Sequence, residues 1–168
     1  MGDLPSSELR TRTFTWHDPL ATAAAGRSMS GLDFLCAMRR GEVPPPPFAE
    51  LMGMRLHEIA EGHVSFAGEP REYHYNPIGV VHGGFAATML DSAMGCAIQS
   101  VLPAGVGYTT LEIKVNMVRA LTVSTGTVTA DGRVVHAGRR TAIAEGRLTD
   151  AAGALYALAT TTCLILRP

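Results

Sequence analysis

Charged residues are scarce in this sequence of 168 residues. Asp, Glu, Lys and Arg make up only 17% of the chain, and 14 basic against 15 acidic residues leave a formal net charge of −1. Such a chain offers no broad electrostatic field for nucleic acid or an anionic membrane, so we expect neither as a partner. Hydrophobic residues make up 46%, which suffices for a folded core and argues against disorder.

Cysteine is also rare, and Cys36, Cys96 and Cys163 lie far apart along the chain. An odd number of cysteines without a C-x-x-C pair indicates neither a disulfide framework nor a zinc site. No two histidines have the helical spacing of a zinc site either. We therefore expect reduced thiols, a cytoplasmic location, and no metal or other cofactor.

Membrane spans and several enzyme motifs are missing from the sequence. The charge-free stretch 92–111 contains Gln99, Pro103 and three glycines, which does not fit a membrane-spanning helix. There is no G-x-S-x-G nucleophile elbow, no Walker loop and no G-x-G-x-x-G motif. The chemistry that remains is a carboxylate acting with polarising amides and water.

The pattern of apolar residues changes near residue 48. Residues 1 to about 27 are polar and show no periodicity. Ser30 can cap a short helix that runs to Arg40, and a proline run at 44–47 follows as a stiff spacer. We interpret residues 1–47 as an N-terminal arm with a short helix and a proline run, and residues 48–168 as the folded domain.

The folded domain shows six segments with strand character and one helical segment. The strand segments lie near 54–59, 63–67, 110–117, on both sides of Ala137-Gly138, and at about 155–166. The helix, roughly 83–101, is apolar nearly all round and must be buried. Short connections favour an antiparallel sheet. We therefore predict an α+β fold in which a curved antiparallel sheet of about six strands wraps around one long central helix.

One acidic residue interrupts this apolar helix. Asp91 is the only charged residue between His82 and Glu112. A buried carboxylate costs free energy, and Asp is a poor residue for a helix interior, so a sequence that accepts both has a use for the group. The structural alternatives are that Asp91 caps a neighbouring backbone segment or pairs with a buried arginine.

Glycines stand at the start of the same helix, in the segment His82-Gly83-Gly84. Amides at a helix start lack intrahelical partners, carry the positive end of the helix dipole and, at glycines, can be approached closely. Such a place can bind a carbonyl oxygen that becomes an oxyanion, and Asn76 could add a side-chain amide. The alternatives are an ordinary glycine-rich helix start and, for Asn76, a turn before Pro77.

Taken together, these motifs resemble a known family. The matching segments are Asn76-Pro77-x-Gly79-x-Val81-His82-Gly83-Gly84, Asp91-Ser92-Ala93-Met94-Gly95, 110–116, 132–140 and 149–157. They resemble the hotdog-fold thioesterases of the phenylacetate-degradation (PaaI) type, both in motif and in the order of elements. The resemblance covers about residue 48 to the C-terminus. Arg119-Ala120 departs from the usual Arg-Pro of that family, at a strand end.

The resemblance implies hydrolysis of an acyl-CoA, aromatic or medium-chain, to a free acid and CoA. Asp91 would be the nucleophile or the general base that directs water to the thioester carbonyl. The Gly83 amide would polarise that carbonyl, with Asn76 and His82 shaping the oxyanion pocket. Thr110 would help to orient the water.

The resemblance also implies a place for the coenzyme A moiety, which is part of the substrate. Arg139 and Arg140, in the strand-to-strand turn that begins at Gly138, would meet the CoA phosphates. The alternative for this turn is a solvated hairpin. The acyl group itself is not determined by these motifs.

Helix geometry adds an expectation about self-association. Gly83 and Asp91 are eight residues apart, which is about 12 Å along a helix axis. Both must act on one carbonyl, so we expect a two-fold homodimer that brings the helix start of one chain beside Asp91 of the other. A dimer of dimers is the larger assembly we expect, and the sequence does not decide between them.

Two other functions remain open at this point. A hotdog dehydratase or hydratase would act on acyl thioesters with a histidine and an acidic residue. A non-enzymatic domain could sense acyl-CoA and regulate a partner, although the N-terminal segment offers one short helix and no helix-turn-helix.

Overall fold

Six antiparallel strands and one long helix form the domain in a computed structural model, which describes residues 8–168. The strands are β1 (Met54–Ala60), β2 (His63–Gly68), β3 (Gly107–Met117), β4 (Val128–Ala137), β5 (Thr141–Asp150) and β6 (Leu155–Leu166). The helices are α1 (Pro19–Ser28), α2 (Gly31–Arg39), α3 (Pro47–Met52) and α4 (Gly83–Ser100), with short 3-10 turns at Glu72–His74 and Val123–Thr125. The predicted α+β fold, with a curved sheet on one central helix, is confirmed.

The strand order in the sheet is β1-β2-β4-β5-β6-β3. The hairpins β1-β2, β4-β5 and β5-β6 agree with the expected short connections. β3 differs from that expectation, because it pairs with β6 and not with its successor β4. The chain must therefore cross from one edge of the sheet toward its middle after residue 117. This crossing leaves one side of β3 as an unpaired sheet edge.

One side of α4 packs directly on the concave face of the sheet. Met89, Leu90, Met94 and Ile98 are fully buried there. A Cβ atom at Gly132 would overlap the backbone of α4 at Ala93, so glycine lets β4 pass close under the helix. Each fully buried large apolar side chain contributes roughly 1.5–3 kcal/mol through burial. This contact fixes the helix, and so the position of every residue it carries.

The opposite side of α4 is only partly covered. Ala87, Thr88, Asp91, Ser92, Cys96 and Gln99 form a half-exposed stripe along the helix. The helix that was predicted to be buried is thus buried on its sheet side and partly exposed on the other side in the single chain, because the sheet wraps one side only. Asp91 lies in the middle of this stripe.

The N-terminal arm contains one helix that the sequence pattern did not predict. α1 begins after Asp18, whose side chain accepts a hydrogen bond from the Leu20 amide, and Pro19 stands at its first position. Only Thr22 of α1 is buried, so the helix has no apolar periodicity to detect. The predicted helix capped by Ser30 is present as α2. Residues 8–18 form no helix or strand, and the rest of the predicted irregular arm, residues 1–7, lies outside the described residues.

None of the helices described over residues 8–168 combines the length and the hydropathy needed to cross a membrane.

Candidate active site

The carboxylate of Asp91 is held by one neighbouring side chain. The Thr110 hydroxyl donates a hydrogen bond to Asp91 Oδ1 at 3.2 Å. Thr110 lies on the helix-facing side of β3, where the Cys163 thiol in turn donates to its hydroxyl at 3.9 Å. Among residues 8–168, no arginine and no backbone amide binds the Asp91 carboxylate. Neither structural alternative for Asp91, a backbone cap or a buried ion pair, is therefore present among the described residues.

The titratable groups around Asp91 are neutral at neutral pH. Burial raises the pKa of the Cys96 thiol to about 12, and the charge of Asp91 adds to that rise. Burial likewise raises the pKa of the Tyr108 hydroxyl well above its ordinary value, with smaller contributions from Cys96 and Cys163. A thiol with a raised pKa is a poor nucleophile, because the thiolate is the reactive form. The group available as a base or nucleophile at this place is the Asp91 carboxylate.

Tyr108 reaches the α4 backbone because Gly95 has no side chain. A Cβ atom at Gly95 would overlap the Tyr108 hydroxyl. Gly95 lies about one turn beyond Asp91, so the tyrosine ring forms a wall next to the carboxylate. The glycine of the Asp91–Gly95 motif thus has a packing role.

The start of α4 presents one free amide. His82 is the N-cap, and its Nδ1 accepts from the Gly84 amide at 2.9 Å while its carbonyl accepts from the Phe85 amide at 3.0 Å. The Gly83 amide between them donates to no acceptor among the described residues. Because His82 Nδ1 accepts, a neutral His82 carries its proton on Nε2, which is left as a second donor. A free amide at the positive end of a helix suits a developing oxyanion.

Asn76 forms the turn before Pro77 that was the alternative to a role in oxyanion binding. Its Oδ1 accepts from the Ile78 amide at 3.0 Å and from the Val80 amide at 3.4 Å. The side-chain nitrogen of Asn76 has no acceptor within the described part of the chain. The oxygen therefore shapes the loop while the NH2 group stays available to a ligand.

The predicted site residues fall into two groups within one chain. Asn76, His82 and Gly83 line a cavity of about 360 Å³ at the start of α4. Asp91 lines a different cavity of about 690 Å³. Neither cavity contains residues of both groups, as expected from the eight residues that separate Gly83 from Asp91 along the helix. The two groups of candidate residues thus lie in separate cavities of the chain.

Arg119 is a residue near the start of α4 that the sequence motifs do not single out as a site candidate. It lines the cavity at the helix start, and its guanidinium lies over the Tyr156 ring at 5.5 Å from the centroid. The signal for it is that Arg119 matches the arginine of the family's Arg-Pro pair, although Ala120 departs from that pair.

The structure does not bring the predicted CoA-binding turn to either group. Arg139 and Arg140 are exposed between β4 and β5, and neither lines the two cavities above. The turn is closed by a hydrogen bond from the Gly138 amide to the Thr141 carbonyl at 2.9 Å. Arg167 Nε donates to the Arg139 carbonyl at 3.3 Å, which adds a third arginine to this surface.

Among residues 8–168, no three or more His, Cys, Asp or Glu side chains come together as a metal-binding group.

Comparison with known proteins gives consistent matches over the stretch that carries His82, Gly83 and Asp91. Residues 78–157 match the family model described as the thioesterase superfamily. A protein of Halobacterium salinarum, whose name assigns it provisionally to the esterases, is 42% identical over 122 residues, covering 70% of this chain and 80% of the relative.

Two solved structures match the fold closely. A mutant of the phenylacetic acid degradation protein PaaI of Thermus thermophilus is 32% identical with a TM-score of 0.64, covering 73% of this chain and 99% of its own. A phenylacetic acid degradation-related protein of Ralstonia eutropha is 27% identical with a TM-score of 0.71, covering 77% and 98%.

Proposed function

Since the chain belongs to the thioesterase superfamily and is a thioester hydrolase, we propose that it hydrolyses acyl-CoA to a carboxylic acid and free CoA without a metal. The observation that supports this proposal is that α4 carries a carboxylate without a counter-ion and an amide without an acceptor among the described residues. Asp91 has a hydroxyl partner and no counter-ion, and Gly83 has an amide with no acceptor, among the described residues. A carboxylate and an oxyanion donor suffice for a thioester, because its carbonyl has little resonance with sulfur.

The proposed steps use these two groups in turn. Asp91 accepts a proton from a water molecule that Thr110 helps to orient, and the water oxygen attacks the thioester carbon. The negative charge that develops on the carbonyl oxygen is stabilised by the Gly83 amide, with Asn76 and His82 beside it. The C–S bond then breaks, and the departing CoA sulfur takes up the proton from Asp91.

This function is tested by measuring the release of free CoA thiol. A panel of acyl-CoA substrates should release CoA thiol, and the rate should be unchanged by a chelator such as EDTA. An absorbance change from enoyl formation without thiol release would instead identify a dehydratase or hydratase. Binding without either signal would identify an acyl-CoA sensor.

We propose further that the working site is built from two chains. The cavities of one chain keep the two groups apart, whereas two antiparallel α4 helices in a two-fold dimer would place each helix start beside the partner's carboxylate. The edge of β3 that pairs with no other strand among residues 8–168 is available to form that contact. A dimer of dimers stays a prediction.

Mixing two inactive variants should restore activity. Gly83→Pro removes the amide of one group and Asp91→Asn removes the base of the other. Random pairing makes about half of the dimers mixed, and each mixed dimer has one intact site of two, so about a quarter of wild-type activity should return. The measurement is thiol release after coexpression with two affinity tags. Purified heterodimers without activity would place the whole site within one chain.

For the CoA moiety we propose the surface at Arg139 and Arg140. These arginines are exposed and free to bind phosphates, and they are remote from the reacting carbonyl. Replacing both with alanine should therefore raise KM for acyl-CoA more than it lowers kcat. Arg133→Ala is the matched control, because Arg133 lies on the preceding strand with its guanidinium 3.0 Å from Asp131. An unchanged KM in the double variant would exclude this turn as the phosphate site.

A further inference from the structure

The larger cavity has walls from two parts of the chain. Asp91 and Cys96 of α4, Leu56 of β1 and Tyr108 of β3 form the domain side. The opposite wall comes from the N-terminal helices, through Phe34 and Met38 among others. These helices lie outside the stretch 78–157 that matches the family model. The cavity that contains the proposed base is thus completed by a segment outside that match.

The N-terminal wall is anchored to the domain by backbone. The Gly31 amide donates to the Leu102 carbonyl at 2.9 Å, just beyond the end of α4. A Cβ atom at Gly31 would overlap the Gln99 carbonyl oxygen, so glycine permits this close contact. Leu35, one turn further along α2, is only 2% exposed. The wall therefore has a fixed position relative to Asp91.

Phe34 is the large side chain at the crossing of α1 and α2. A Cβ atom at Gly26 of α1 would lie 3.2 Å from the Phe34 ring, so the two helices meet closely at this pair. Thr22 Oγ1 donates to the Pro44 carbonyl at 3.2 Å and ties α1 to the proline run. The ring is thus backed by α1 on one side and borders the cavity on the other.

We propose that this cavity binds the acyl tail of the substrate and that the segment 19–39 sets the length of the tail, with Phe34 as its end wall. The inference rests on the proposed acyl-CoA hydrolysis. Apolar side chains such as Leu35, Leu56 and Phe66 form most of the cavity surface, which suits an aliphatic chain. Charged side chains also border the cavity, namely Arg27, Arg39, Glu50 and Arg55. A cavity of roughly 150 Å³ already accepts benzene. The volume here, about 690 Å³, therefore fits an unbranched medium-length acyl chain better than a single aromatic ring.

The test compares kcat/KM over a series of straight-chain acyl-CoAs from butyryl to palmitoyl, together with benzoyl-CoA and phenylacetyl-CoA. Phe34→Ala should move the optimum to longer chains, with a gain of about fourfold for each added methylene that becomes buried. Met38→Trp, which fills the cavity, should move the optimum to shorter chains. Phe48→Ala is the matched control, because Phe48 is 53% exposed on α3 and does not line the cavity.

A binding measurement separates this inference from the proposed function. Calorimetry with hydrolysis-resistant acyl-CoA thioethers gives Kd for the same chain lengths. If the variants shift the dependence of Kd on chain length but the wild type releases no thiol, the acyl cavity is supported and hydrolysis is overturned.

A second outcome would overturn the acyl cavity alone. In it the wild type releases thiol, but Phe34→Ala, Phe48→Ala and Met38→Trp show the same dependence of kcat/KM and Kd on acyl chain length. A wild-type preference for an aromatic acyl group over every aliphatic one would also overturn it. Should Phe34→Ala fail to fold by circular dichroism, the shift in Met38→Trp decides between these outcomes.

Discussion

Asp91→Asn is expected to lower turnover by at least ~100-fold while leaving the protein folded, since this is the low end for loss of a general base. The substitution keeps the shape of the side chain. Its remaining carbonyl oxygen can still accept the hydrogen bond that the Thr110 hydroxyl now donates to Asp91. The position is half-exposed in the single chain, so no buried ion pair is broken. The loss should therefore be one of chemistry and not of stability.

The measurement is kcat from thiol release, with thermal unfolding as the check on folding. Thr88→Ala serves as the control, because Thr88 lies on the same stripe about one turn before Asp91 and lines neither cavity. Near-normal turnover in Asp91→Asn would remove this carboxylate from the mechanism. A loss of folding would instead assign it a structural role.

Gly83→Pro should reduce kcat by about 100- to 1000-fold, the range for removal of one oxyanion donor. Gly83 is the first residue of α4, where proline is well accepted because its missing N–H is not needed by the helix. The preceding His82 has φ −60° and ψ 135°, which suits a residue before proline. The substitution thus removes the amide that has no acceptor within residues 8–168 and preserves the helix start.

Gly83→Ala is the matched control for this experiment. Alanine keeps the amide but places the same Cβ atom against the Met117 side chain, 2.5 Å from its sulfur. Met117 is long and flexible and can move, so the alanine variant should retain much of its activity. Equal losses in the two variants would attribute the effect to crowding by Cβ and exclude the amide as the oxyanion donor. Single-turnover kinetics would locate the loss in the chemical step.

Much of the architecture could be predicted where the sequence has strong local signals. The last strand was predicted at about 155–166 and is β6, Leu155–Leu166. The helix predicted at roughly 83–101 is α4, Gly83–Ser100. Both segments have strict apolar patterns and are bounded by glycine or proline, which limits the choices of the backbone.

The differences arise where non-local contacts decide the structure. α1 has one buried residue, Thr22, so its helix depends on the Asp18 cap and on alanine content and not on periodicity. The half-exposed stripe on α4 depends on how far the sheet wraps around the helix, which no local pattern encodes. The position of β3 beside β6 depends on the path of the chain after residue 117.

In the candidate site, too, local sequence signals predict some features and non-local contacts determine the others. The family resemblance assigned Thr110 a place beside Asp91, and in the structure the Thr110 hydroxyl donates to Asp91 Oδ1 at 3.2 Å. It also grouped Asn76, His82 and Gly83 at one helix start, where they share a cavity. The wall formed by Phe34 and its neighbours was not predicted, because these residues meet α4 only through the fold.

Hydrogen bonds form at the N-cap of α4 and at the segment that follows its C-terminal end. His82 accepts from the Gly84 and Phe85 amides at the start, and Gly31 donates to the Leu102 carbonyl beyond the other end. Helix termini are ordinarily the first segments to fray in the native state. With the start capped by His82 and the segment after its end anchored at Leu102, the hydrogen-bonded amides of the outer turns of α4 should exchange with solvent deuterium more slowly than those of α1. Slow exchange in those turns would show that the helix carrying Asp91 seldom unwinds at its ends.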